Sequence, residues 1–186
     1  IQSYREGSLV RTGDQFRLET LVEERERLTG KLENAGFFFL VPDHLYFRLD
    51  SSVEERKMDV ELVVRRDIPG EAREKQHINR IIVHHGISYK LDEEPGDTLF
   101  SHGMYHIHPG SMILKPEILD RYVFLKPGQQ YDERNYRKSL RGLTELGIFR
   151  FINIRFSKTG NTEPSELDAH IYLTGSRRRR LQAKVQ

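Results

Sequence analysis

Two copies of one pattern run through the chain, and this internal repeat constrains the fold more than any other feature of the sequence. The first copy extends from Gly13 through an amphipathic stretch to Gly36, and the second extends from Gly128 through a similar stretch to Gly147. Apolar residues recur at spacings of three and four within both stretches, and the glycine beyond each is typical of a helix end. Each copy therefore predicts a helix that stops at a glycine and leads into a strand.

A pair of alternating strands follows each predicted helix. The apolar positions of the first strand in each copy are Leu45, Phe47 and Leu49, and then Ile152, Ile154 and Phe156. A polar turn comes next, and residues 60–64 or 169–173 complete a hairpin. Because alternate side chains of a strand point to opposite faces, we expect one face of each strand to be half buried.

The second copy has further elements before it. Residues 77–84 predict a strand, and Pro116 occupies a favourable first-turn position of a short helix. We therefore predict a β-α-α-β-β module over residues 77–175, with a long loop insertion at 86–114. Its class is α+β, with two helices packed on a small mixed sheet.

The first copy predicts the same module over residues 1–66, truncated at its N-terminus. Residues 1–9 are interpreted as the remains of its first helix, and its first strand is expected to lie upstream. Between the modules, residues 67–76 contain Pro69-Gly70 and mixed charges, which predict a linker. Residues 176–186 leave the repeat pattern and form a basic tail.

Composition excludes several classes of protein. Of 186 residues, 37% are hydrophobic and 31% charged, which is compatible with a folded chain. The absence of cysteine excludes disulfides, thiolate nucleophiles and cysteine zinc sites. No apolar run approaches the roughly 20 residues that cross a bilayer, so we expect the chain to be soluble. Because it starts at Ile1, we expect it to be a fragment of a longer protein, and we expect this fragment to be monomeric. The net charge of +2 depends on five basic residues among the last ten, which argues against a nucleic-acid-binding body.

At this point the sequence resembles a known family. The run Leu125–Tyr131, the helix that ends at Leu146-Gly147, and the strand that follows resemble the polypeptide-transport-associated (POTRA) repeat of bacterial surface-antigen outer-membrane proteins of the BamA/TamA kind. The first copy is similar in its Glu24–Leu28 segment, Gly36–Phe38 and Tyr46-Phe47. The resemblance covers most of residues 10–174. The insertion resembles one in TamA-like relatives of the Bacteroidetes type.

The resemblance implies a periplasmic arm that leads through its basic tail into a membrane β-barrel of the same chain. The implied partners are unfolded or nascent outer-membrane proteins and assembly-complex subunits, and the implied contact is transient β-augmentation of an exposed sheet edge. No catalytic residue, cofactor or metal is implied. The candidate edge strands are Phe149, Arg150, Phe151, Ile152, Asn153, Ile154, Arg155 and Phe156, with Leu45, Tyr46, Phe47 and Arg48. Arg177, Arg178, Arg179 and Arg180 are candidate membrane-proximal residues.

Other interpretations remain open at this stage. A nucleic-acid-binding module is the first, although neither a Gly-x-x-Gly clamp nor an aromatic, glycine-rich RRM strand occurs. A docking domain of a two-partner secretion or cell-division protein is the second. A metal site on His84, His85, His102, His106 and His108 is the third, although their spacing fits no strong motif. Phe149 and Phe151 are expected to point away from the helices unless a bulge changes the register.

Overall fold

The computed structural model describes residues 6–51, 57–86, 97–110, 112–159 and 166–176, and it divides into two compact units. The first unit comprises Ile1–Gln76 with Gln130–Glu133, and the second comprises His77–Gln129 with Arg134–Gln186. Both contain helices and strands, so the predicted α+β class is confirmed.

In the first unit, helix α1 (Leu18–Asn34) is followed by a 3-10 turn at Pro42–His44 and the antiparallel strands β1 (Leu45–Asp50) and β2 (Asp59–Val64). Its core contains Leu28, Leu40 and Leu45, with Leu32 and Phe37 packed against them. Residues 6–9 form turns and bends where the sequence predicts the remains of a helix, and residues 1–5 lie outside the described part of the chain.

The first sheet is less covered than the alternation of its residues predicts. The pairing places Phe47 opposite Leu62 and Leu49 opposite Val60, so the apolar side chains do share one face. Leu45 is buried, but Leu49, Leu62 and Val64 are exposed. The physical reason is that the main strand contact of α1 is with β1, and alternation specifies a shared face without specifying what covers it.

The segment 67–76, which the sequence predicts to be a linker, is packed in the first unit. It contains a 3-10 turn at Gly70–Arg73, and Ile68, Ala72 and Gln76 are buried. The Gln76 side chain accepts a hydrogen bond from the Phe38 N–H (3.0 Å) and donates one to the Glu71 carbonyl (2.9 Å). A polar segment can therefore be held in place by one buried amide whose bonds are satisfied.

The described residues of the second unit form five strands and two helices. Its elements are β3 (His77–His85), β4 (Asp97–Ser101), β5 (Met104–His108), α2 (Pro116–Leu119), α3 (Glu133–Glu145), β6 (Phe149–Lys158) and β7 (Glu166–Gly175). The strand order is β4-β5-β3-β7-β6. Strand β3 runs parallel to both β5 and β7, whereas the β4–β5 and β6–β7 pairs are antiparallel, so the sheet is mixed as predicted.

The insertion at 86–114 differs from the irregular loop that the sequence suggests, because residues 97–108 form the β4–β5 hairpin. His102 and Gly103 both have positive φ, as a two-residue hairpin turn requires. Strand β5 pairs with β3 through residues 82–84, so the hairpin extends the sheet beyond β3.

The core of the second unit lies between the sheet and the helices. It includes Ile81, Val83, Leu119, Leu143, Ala169, Ile171 and Leu173, each at most 1% exposed. Among the residues that the structure describes, none of the helices has the length and apolar character that a membrane span needs.

Candidate functional site

Strand β6, the main site predicted from the sequence, forms one edge of the five-stranded sheet. At its end, the Thr159 N–H donates to the carbonyl of the directly opposite Glu166 (3.0 Å). Backbone groups of successive residues in an antiparallel strand point alternately toward and away from the partner strand. By this alternation, the backbone N–H and C=O of Ile152 and Ile154 point away from β7, toward the open edge.

Helix α3 lies beside this edge and is anchored by its own buried residues. Leu143 is fully buried, and the buried Ser139 hydroxyl accepts a hydrogen bond from the Phe124 N–H (2.8 Å). Gly147 follows the end of α3 and has a φ of +65°. The next residue is Ile148, whose carbonyl accepts a hydrogen bond from the Ser176 N–H (2.9 Å). The glycine stop and this first hydrogen bond to the residue after β7 set where β6 begins.

A β-bulge at Arg150 separates the two phenylalanines of β6. The register is Phe149 opposite Gly175 and Phe151 opposite Thr174, so two residues are passed on β6 for one on β7. Phe149 therefore lies on the α3 side of the sheet with Ile152, whereas Phe151 lies on the opposite side and is 43% exposed. The expectation that both rings point away from the helices is wrong for Phe149, because the bulge changes the register between Phe149 and Phe151.

A shallow groove of about 270 Å³ lies between α3 and the start of β6. It is lined by Leu140, Thr144, Phe149, Arg150, Phe151 and Ile152. Its lining combines the apolar side chains of Leu140, Phe149, Phe151 and Ile152 with polar atoms in at least equal measure, and the strand edge forms one side. An extended peptide could therefore bind the backbone of β6 and place a side chain in the groove.

The other predicted site residues lie in several environments. Along β6, Ile154 is buried and Phe156 half buried with its ring 5.9 Å from that of Tyr136, whereas Asn153 and Arg155 occupy the face opposite α3. In the first unit, Leu45 is buried, Phe47 is half buried, Tyr46 is exposed, and Arg48 is exposed and ion-paired with Glu61. Arg177, Arg178, Arg179 and Arg180 lie outside the described residues. A larger hollow of about 530 Å³ at the far end of β1 and β2 is lined mainly by charged side chains.

The sequence analysis missed a buried ionic group beside β6. Asp168 is 5% exposed, forms an ion pair with Arg80, and accepts a hydrogen bond from the Asn79 side chain (2.9 Å). Burial alone would raise the pKa of Asp168, but the hydrogen bonds to this carboxylate outweigh burial and leave the pKa below its usual value. Asn79 and Arg80 stand at a register shift of β3, which sequence alternation could have indicated.

Four of the histidines form two hydrogen-bonded pairs. His85 Nε2 lies 3.1 Å from His106 Nδ1, and His84 Nε2 lies 3.1 Å from His170 Nδ1. Burial, followed by the charge of neighbouring histidines, lowers the pKa of both His84 and His85 to about 4. Within the described residues, no group of three or more histidine or carboxylate side chains is arranged to hold a metal ion.

The element order of the second unit, without the hairpin, is strand, helix, helix, strand, strand, with the last strand in the middle of the sheet. This order is the one that the sequence analysis predicts for a POTRA module, and the solved structures described next have the POTRA fold. The resemblance stated above is thus confirmed for the fold.

Solved structures carry the same fold. The chain is similar to POTRA domains 3–5 of BamA from Haemophilus influenzae, with a TM-score of 0.54 and 13% identity over 93% of this chain and 54% of that chain. It is also similar to Haemophilus ducreyi BamA lacking POTRA domains 1–3, with a TM-score of 0.55 and 13% identity over 95% of this chain and 27% of that chain. The chain thus spans about half the length of the first structure and about a quarter of the second. Neither a protein-family model nor a curated protein matches the sequence.

Proposed function

We propose that this chain is a periplasmic polypeptide-binding and docking arm of an outer-membrane protein assembly or translocation factor. It binds extended segments of unfolded outer-membrane proteins, or of assembly-complex subunits, by transient β-augmentation. Strand β6 is the main acceptor and β1 a second one, and a membrane β-barrel of the same chain follows the basic tail. The proposed role is binding, without a catalytic residue, cofactor or metal.

One observation carries this proposal. Ile152 and Ile154 direct their backbone groups to the open edge of the sheet, immediately beside the groove of α3. An added strand satisfies such groups along its whole length, which explains how one edge can accept many client sequences. The POTRA fold, and its occurrence in the BamA structures above, supports the outer-membrane setting.

Backbone NMR during titration with an extended peptide tests the binding surface. We expect the largest amide shifts along β6 and on the groove side of α3, since those groups would change hydrogen bonding or burial. Shifts confined to α1 and α2, with β6 unchanged, would contradict the proposal.

A pair of substitutions at Ile152 separates the backbone contribution from the side chain. Ile152→Pro and Ile152→Ala both remove the isoleucine side chain, but only proline removes the N–H that points to the open edge. Because one hydrogen bond contributes about 1 kcal/mol net, and the ring also obstructs pairing, we expect the proline variant to bind peptide roughly five- to ten-fold more weakly than the alanine variant. Equal affinities, with both variants folded by circular dichroism, would show that main-chain pairing at this edge is not used.

A further inference from the structure

The charge around the β6 edge is one-sided. Strand β6 carries Arg150, Arg155 and Lys158 and has no acidic residue, and α3 carries four basic residues against two acidic ones. The formal charge along this border of the second unit is therefore positive, but Arg134, Arg137, Arg155 and Lys158 already interact within the protein and are not counted as available to a ligand. Opposite charges across such a border are favourable, and like charges reduce affinity.

Two of these arginines are placed to act on a client. Arg150 is exposed and lines the groove at the bulge, and Arg141 is exposed one residue after Leu140, which lines the opposite wall. Within the described part of the chain, neither guanidinium has a carboxylate partner. By contrast, Arg80 and Arg27 are committed to Asp168 and Glu24. The charges of Arg141 and Arg150 are therefore available to a ligand.

The bulge makes the position of Arg150 specific. A classic bulge adds one residue to the strand and re-aims the side chains around it. Here it places Phe149 on the α3 side of the sheet, so an apolar ring and a guanidinium stand next to each other at the groove. A ligand that fits both groups has an apolar side chain with a carboxylate close to it along the strand.

We propose that the groove at the start of β6 selects extended polypeptide segments in which an apolar residue is flanked by Asp or Glu. This inference rests on the proposed function and adds the class of client sequence to it. Main-chain pairing supplies binding to any strand, while Arg141 and Arg150 favour acidic strands and disfavour basic ones. Both arginines are exposed, so each contributes modestly, and the preference weakens as salt rises.

Three short peptides with the same alternating apolar residues test the preference, with Glu, Gln or Lys at the flanking positions. We expect affinity for the second unit of the full chain to decrease in the order Glu, Gln, Lys, with roughly three- to ten-fold between the first and last at low salt. The variant Arg141→Glu with Arg150→Glu should reverse the order. A gain of affinity for the Lys peptide cannot arise from unfolding, so this reversal also guards against a misfolded variant.

The control is Arg11→Glu with Arg17→Glu, which makes the same change in net charge on exposed residues of the first unit. The control should keep the order of the unmodified chain. If the unmodified chain binds all three peptides equally, and Ile152→Pro weakens all of them, the acidic preference is wrong and the proposed function stands. If no peptide shifts the β6 amides, the proposed function itself fails.

Discussion

Asp168 shows how a single residue determines the stability of the sheet that carries the site. Asp168 lies on β7, which is between β3 and β6 in the sheet, and it is buried. Its carboxylate forms an ion pair with the half-exposed Arg80 and accepts a hydrogen bond from Asn79. A buried charge without partners is costly, so this group stabilises the fold only as long as its contacts are complete. The register shift of β3 at residues 78–81 brings Arg80 to it.

Replacing Asp168 with alanine should therefore destabilise the protein by about 1–3 kcal/mol, because Asn79 and Arg80 lose their acceptor. Arg80 is half exposed, so water replaces part of the interaction that its guanidinium loses. Denaturant unfolding measures the change. The matched control is Asp67→Ala, which removes an exposed ion pair with Arg65 and should change stability very little. Equal effects of the two substitutions would contradict the structural role of Asp168.

At the scale of elements, helix ends follow from local backbone chemistry. Gly36 comes after the C-cap of α1 with φ +98°, a left-handed conformation that residues with a Cβ rarely adopt. A Cβ at this position would also lie 2.8 Å from Gln130 Cγ. Gly30, in contrast, lies within α1, and a Cβ there would meet nothing within 4 Å.

These two glycines provide a matched pair of substitutions in one helix. Gly36→Ala should destabilise the protein by about 1–2 kcal/mol, because of its backbone conformation and the crowding by Gln130. Gly30→Ala should stabilise it by about 0.5–1 kcal/mol, because alanine favours the helix. Thermal unfolding of both variants beside the unmodified chain measures whether each substitution raises or lowers stability. A more stable Gly36→Ala variant would contradict the left-handed conformation of Gly36 at the end of α1.

At the scale of the whole molecule, the histidine pairs connect strands that are far apart in sequence. His85 and His106 are both fully buried and join β3 to the inserted hairpin, while His84 and His170 join β3 to β7. Their neutral forms fit the fold, because burial and the neighbouring histidines disfavour a positive charge. Burial likewise lowers the pKa of His106 and of His170.

The stability of the protein should therefore fall as the pH decreases from about 6.5 toward about 4. The folded-state pKa lies below the unfolded value of 6.5, so in this interval the unfolded chain binds protons that the folded chain excludes. Each excluded proton lowers the free energy of unfolding by at most about 1.4 kcal/mol per pH unit. Denaturant unfolding at pH 7 and pH 5 measures this dependence.

The variant His85→Leu with His106→Leu tests the origin of the pH effect. It should reduce the loss of stability between pH 7 and pH 5, because it removes two groups that are buried in the folded protein. The carboxylates of Glu24 and Asp168 have lowered pKa values, so they contribute to acid unfolding only below their ordinary range near pH 4. An unchanged pH dependence in the double variant would contradict the role of the buried pair.

The sequence by itself determined most of the helices and strands and the glycines at which two helices end. Spacings of three and four located α1 and α3, glycines marked where they stop, and alternation located β1, β2, β6 and β7. These features depend on interactions between residues a few positions apart, so a single sequence reveals them. For the same reason, the strand that carries the candidate site could be located by its pattern, whereas its role as an edge strand was only implied by the resemblance.

Only the tertiary structure decided how these elements meet. The short hairpin at 97–108 has a weak pattern of its own and gains its definition by pairing with β3. The burial of His85 and His106, the uncovered face of β1 and β2, and the side on which Phe149 lies all depend on partners distant in sequence. The physical reason is that periodicity specifies which side chains share a face, whereas burial depends on what packs against that face.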